Sequence, residues 1–155
     1  MRELSVTPRT DLERLYREQG DRLWWALLGY SGDPEVASDA VAEAFAQALR
    51  GGERIREPLA WIWRVAFRVA AGELKRRRRE SGGAREIAYE LDRTGAAIVE
   101  ALQRLSPRQR AAILLHHYAG YPVKEVAAIL GSSPTTVSVH LHRARKRLAE
   151  LLEAS

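Results

Sequence analysis

Cysteine is absent from the 155 residues, which excludes disulfides and a thiolate zinc site. No apolar run approaches the roughly 20 residues that a membrane-spanning helix needs. The N-terminus, MRELSVTPRT, lacks the apolar core of a signal peptide. Together these absences predict a soluble, cytoplasmic protein with no membrane insertion. No stretch has the alternation of a strand, and there is no Gly-rich phosphate loop, no HExxH and no Ser/His/Asp arrangement. The histidines do not cluster. His116 and His117 are adjacent, and His140 and His142 are two apart, so on helices each pair diverges. No metal site, no cofactor and no catalytic activity are expected.

The composition that remains is that of a folded chain, with 46% hydrophobic and 29% charged residues. Its length allows one ordinary domain or two small ones. The net charge of +5 and a pI near 10.0 favour a polyanionic partner.

The most informative stretch is PVKEVAAILGSSPTTVSVHLHRARKRL, residues 122–148. Ala127, Gly131 and Val137 have the spacing of a helix-turn-helix: a small residue where the helices touch, a glycine for a left-handed helix end, and an inward valine. Ser133 can cap the second helix, and Pro134 suits its first turn because no amide hydrogen is needed there. Val137, Leu141, Ala144 and Leu148 make its buried stripe. Thr135, Thr136, Ser138, Val139, His142, Arg143 and Lys146 then form a polar and cationic side of a size suited to a DNA major groove. A solvated basic helix would show the same periodicity; the Ala–Gly–Val spacing and the caps favour DNA.

Upstream, Thr10 and Glu13 have the spacing of a capping box for a first helix. It carries Leu12, Leu15, Tyr16, Leu23, Ala26 and Leu27 on an apolar face. Trp24 and Trp25 are expected as core or interface anchors. Asp33 and Pro34 start a second helix, reaching about residue 49, with Asp39, Glu43 and Gln47 on one outward face. In a basic chain that face is either solvated or a protein-docking site. A loop with Arg54 and Arg56 leads to a third helix over 58–79. Leu59, Ile62, Ala66 and Val69 make its stripe; Trp61, Trp63 and Phe67 add aromatic surface, and Lys75 to Arg79 are five consecutive cations. Cations beside exposed aromatics grip unpaired bases, although a cationic run is more often a solvated helix end. Residues 80–95 carry four acids against two bases and read as a linker, with a short helical piece around 87–91. A helix over 96–105 follows, then another from the capping box Ser106-Pro107-Arg108-Gln109, with Ala112, Leu115 and Tyr118 inward and its end near Gly120. The predicted fold is all-α: two small helical domains, 1–79 and 96–155, joined by a flexible linker.

This order resembles the extracytoplasmic-function sigma factors of bacteria. DPEVASDAVAEAF (33–45) is similar to their polymerase-clamp segment, WIWRVAFRVAAGELKRRRR (61–79) to their promoter-opening helix, and residues 105–148 to their upstream-element reader. The resemblance implies that Asp39, Ala42, Glu43 and Gln47 meet core RNA polymerase. It implies that Arg54, Arg56, Trp63, Phe67, Arg68, Lys75 and Arg76 serve the −10 element and melting. The last helix would enter the −35 major groove. The partners implied are the polymerase clamp and flap, promoter DNA and an anti-sigma factor. The sequence departs from the family at Ala42 (usually Gln), at Ala66-Phe67-Arg68 (Ala-Arg-Asn), at Gly72 (Asp), at Ser138-Val139-His140 (Lys/Arg-Ser-Arg) and at Pro122 (a Ser cap). The C-terminal half alone also fits an ordinary helix-turn-helix regulator, and the residues found at Phe67, Arg68 and Val139 keep open a sigma-like interaction protein that reads no promoter. The segments at 33–45 and 61–79 favour the sigma reading.

Overall fold

The computed structural model describes residues 9–51, 55–81 and 92–154. Seven helices appear among them: α1 (Arg9–Ser31), α2 (Pro34–Gly51), α3 (Pro58–Ser81), α4 (Arg93–Gln103), α5 (Pro107–Ile113), α6 (Val123–Leu130) and α7 (Pro134–Glu153). No strand occurs among the described residues. The all-α architecture with two helical units, α1–α3 and α4–α7, agrees with the sequence expectation. Helix occupies both ends of the stretch read as linker, through Ser81 and from Arg93. The helical piece expected at 87–91 lies outside the described residues.

The helix starts follow local chemistry. Asp33 Oδ1 accepts the Glu35 amide hydrogen at 2.9 Å, and Asp92 caps α4 through Gly95 N at 2.6 Å. Ser106 and Gln109 bond each other's backbone amides at 3.2 Å, completing the reciprocal box that starts α5. Thr10 is already inside α1, so it is not the cap of that helix.

Beyond α5 the chain departs from expectation. Residues Leu114–Tyr118 form one π-helical turn, with Ala119 N donating to Leu114 O at 2.9 Å. The wide turn keeps Leu114 and Leu115 buried side by side and leaves Tyr118 39% exposed rather than inward. Arg22 of α1 stacks over the Tyr118 ring at 5.4 Å and donates to the Tyr118 carbonyl.

One buried cluster runs through both units, from Leu12 and Leu23 in α1 to Leu141 and Ala144 in α7. The join between the units is made mostly by α1 and α3. Gln103 Nε2 donates to the Gly29 carbonyl at 2.8 Å, and Arg110 donates to Gln103 Oε1 at 2.5 Å. The Arg110 guanidinium also lies over the Tyr30 ring at 5.3 Å. Trp63 of α3 meets Tyr121 edge-on at 6.2 Å.

Candidate nucleic-acid interface

The helix-turn-helix is built as its spacing predicts. Gly131 adopts φ +65°, and the two bonds that close the helix end, Ser132 N to Ala127 O at 2.9 Å and Gly131 N to Ala128 O at 3.4 Å, satisfy carbonyls that would otherwise be orphaned. Pro122 stands at the start of α6 without a side-chain cap. Ala127 and Val137 are buried where α6 meets α7. Ser133 Oγ accepts from Thr136 N at 3.1 Å and starts α7. Val137, Leu141 and Ala144 are buried and Leu148 is half-buried, so the α7 stripe is inward. Thr135, Thr136, Ser138, Val139, His142, Arg143 and Lys146 are all exposed.

The first domain offers a second surface. On α2, Asp39 and Ala42 are exposed, while Glu43 and Gln47 are half-buried. The Gln47 amide donates to Glu43 Oε2 at 2.7 Å and Arg50 reaches the same oxygen at 3.2 Å. The Gln47 bond, then Arg50, holds the Glu43 carboxyl below its usual range. The acidic character of this face is therefore partly offset by its own arginine.

On α3 the expected site residues divide. Arg56, just before the helix, and Arg68, Lys75 and Arg76 are exposed. Arg54 lies outside the described residues. Trp63 and Phe67 are not available as base-stacking rings in this arrangement, because they are 2% and 4% exposed. The physical reason is that α3 is covered on two sides. Ile62 and Ala66 are fully buried, while Trp63 packs toward Tyr121 and Phe67 toward Trp63 and Tyr30. The cationic run is likewise not uniform. Arg76 pairs with Glu73, and Arg77 bridges Glu73 Oε2 at 2.9 Å and the buried Asp33 Oδ2 at 2.5 Å. Arg77 thus ties the end of α3 to the start of α2. Hydrogen bonds from Arg76 and Arg77 hold the Glu73 carboxyl below its usual range.

The interdomain residues Arg22, Tyr30, Gln103, Arg110 and Tyr121 escaped the sequence reading. Arg110 did leave a signal, since it is a cation beside a run of buried apolar residues, Ala111 to Leu115.

Residues 15–80 match the family described as Sigma-70 region 2, and residues 95–148 match Sigma-70, region 4. The chain is 31% identical over 153 residues to the ECF RNA polymerase sigma factor SigM of Mycobacterium tuberculosis, covering 93% of this chain and 78% of the relative. The chain belongs to the ECF RNA polymerase sigma factors. This sigma factor is also 29% identical to the RNA polymerase sigma-E factor of Streptomyces antibioticus, with 92% and 85% of the two chains covered. Among solved structures, the sigma factor RpoE of Bartonella quintana, in complex with the anti-sigma factor NepR, superposes with a TM-score of 0.76 and 25% identity. That match covers 93% of this chain and 98% of the other. CnrH, solved with the cytosolic domain of CnrY, has the same fold at a TM-score of 0.76 and 22% identity. Among the described residues no helix of this sigma factor is long and apolar enough to cross a membrane.

Proposed function

We propose that this sigma factor reads its promoters through three separate surfaces and performs no covalent chemistry itself. Asp39, Ala42, Glu43 and Gln47 of α2 dock on the polymerase clamp. Arg56, Arg68, Lys75 and Arg76 hold the −10 phosphates, with Arg54 from the preceding loop. The exposed face of α7 enters the −35 major groove. The observation that carries the reading is that face: seven polar, cationic or small side chains stand outward, opposite a stripe buried in the domain core.

Contact of Trp63 with flipped bases requires α3 to part from Tyr121 of the C-terminal domain, and Phe67 has also to leave Tyr30 of its own domain, so we assign the closed arrangement to the free factor. We further propose an anti-sigma protein as a regulatory partner; the Bartonella quintana factor was solved with one.

The test is reconstitution with core polymerase. Wild-type chain should co-elute with core and give specific transcripts from a promoter library. Asp39→Lys with Glu43→Lys should lose co-elution while keeping its helical circular dichroism. Undiminished co-elution of that double variant would overturn the clamp assignment. Co-elution without any promoter-specific transcript would instead leave a polymerase-binding protein that reads no promoter.

A further inference from the structure

A cavity of about 600 Å³ lies between α3 and the C-terminal domain. That volume is in the range of small-molecule sites. Its floor is apolar: Phe67 and Leu74 come from α3, Ala111 from α5 and Ile129 from α6. Four cations line it: Arg64, Arg68 and Lys75 on α3, and Arg108 on α5. No aspartate or glutamate lines it, and none of these four cations pairs with a carboxylate among the described residues. Two nitrogens at the cavity, Arg64 Nε and His140 Nδ1, are shielded from solvent and have no hydrogen-bond partner. A buried N–H without an acceptor costs free energy, roughly 1–3 kcal/mol, and like charges gathered without a counter-ion add to that cost. The His140 imidazole feels the same field. Burial first, then Arg108 and Arg143, holds its pKa below the usual value.

We propose that this cavity binds an organic anion with an apolar body and a phosphate, sulfonate or carboxylate head. The body would rest on Phe67 and Ile129, and the head would accept from Arg64 and Arg108. Since Arg64 belongs to the first domain and Arg108 to the second, the ligand bridges them and favours the closed arrangement. Arg68 and Lys75, which also line the cavity, are proposed −10 contacts, so the bound anion lies beside the promoter surface. The binding itself does not depend on the promoter reading and is measured without polymerase or DNA.

Three probes separate the parts of the claim: anilinonaphthalene sulfonate has body and head, N-phenylnaphthylamine has the body alone, and inorganic phosphate has the head alone. Titrated into the full chain, the sulfonate should bind at a single saturable site, about tenfold or more tighter than either fragment probe, as a charge-assisted bond implies. Arg64→Gln and Arg108→Gln should each weaken it severalfold, and Lys124→Gln, an exposed cation of α6, should not. Circular dichroism of each variant checks that the helices persist. Equal binding of the neutral probe would reduce the cavity to an apolar patch. Loss with only one of the two arginine variants would place the site within one domain. Either result, or non-saturating binding, overturns the proposal.

Discussion

Arg143 is the side chain on which promoter choice should turn. It is exposed two positions past the buried Leu141, while its neighbours Ser138 and Val139 offer few strong readers of a base edge. Arg143→Ala should weaken promoter binding by roughly 1–3 kcal/mol and relax preference at one base position. A pure phosphate contact would instead weaken all sequences alike and lower the salt slope by about one unit. Binding to a randomised −35 library at two salt concentrations distinguishes these outcomes. A second residue works the other way. Gly72 sits inside α3, and a Cβ built there meets nothing within 4 Å. Gly72→Ala should therefore raise stability by roughly 0.5–1 kcal/mol, read as a higher urea midpoint with an unchanged slope. At this scale the sequence was most legible in the helix-turn-helix. The roles of Ala127, Gly131, Ser133 and Val137 depend on partners within ten positions along the chain. It was least legible at Trp63 and Phe67, because their covering comes from residues far along the chain, such as Tyr30 and Tyr121.

The helices themselves are held by contacts that a cationic run conceals. Arg77 looks in sequence like one of five equivalent cations, yet it bridges the cap residue of α2. Arg77→Ala should cost roughly 1.5–3 kcal/mol, the range for hydrogen bonds to charged groups, by removing the bonds that Arg77 makes to Asp33 and Glu73. Thermal denaturation of Arg77→Ala beside Lys75→Ala checks it, since exposed Lys75 should change stability far less. The C-terminal bundle carries a pH response of its own. Arg145 of α7 donates to His117 Nε2 at 3.0 Å, a bond that only the neutral imidazole can accept. Burial, then His116 and Arg145, lowers the His117 pKa from its usual 6.5; His140 is lowered likewise. The unfolded chain thus binds protons that the folded chain refuses. Stability should be full above about pH 6.5 and fall as pH drops from there toward the lowered folded pKa values. Glu43 and Glu73 titrate below their usual 4.5, so the window between belongs to the histidines. Urea midpoints from pH 7.5 to 5.5 should decline in wild type, and His117→Asn with His140→Gln should flatten that decline. The caps at Asp33, Ser106 and Ser133 were readable beforehand, whereas Thr10 falls inside α1 and the Asp92 cap was not foreseen. The π turn at Leu114–Tyr118 was not, for no residue type in LLHHY distinguishes it from an ordinary helical turn.

Across the whole molecule, the two domains were legible as units and their contact was not. The apolar stripes of α3 and α7 reveal that each helix has an inside, but periodicity carries no record of which domain supplies the second cover on α3. Gln103, Arg110 and Tyr121 become interface residues only once the domains meet. This contact also bears on how the chain comes apart. Because the buried cluster is continuous from α1 to α7, heating should not release one domain while the other stays folded. Trp63 sits at the seam, so the fluorescence change that reports the seam opening should coincide with the loss of helical ellipticity, at one midpoint and with one enthalpy. A calorimetric enthalpy equal to the van't Hoff value is the expected result, and two resolved heat-absorption peaks would mean that the seam gives way first. A chain whose sequence divides into two recognisable parts would then have a single melting transition.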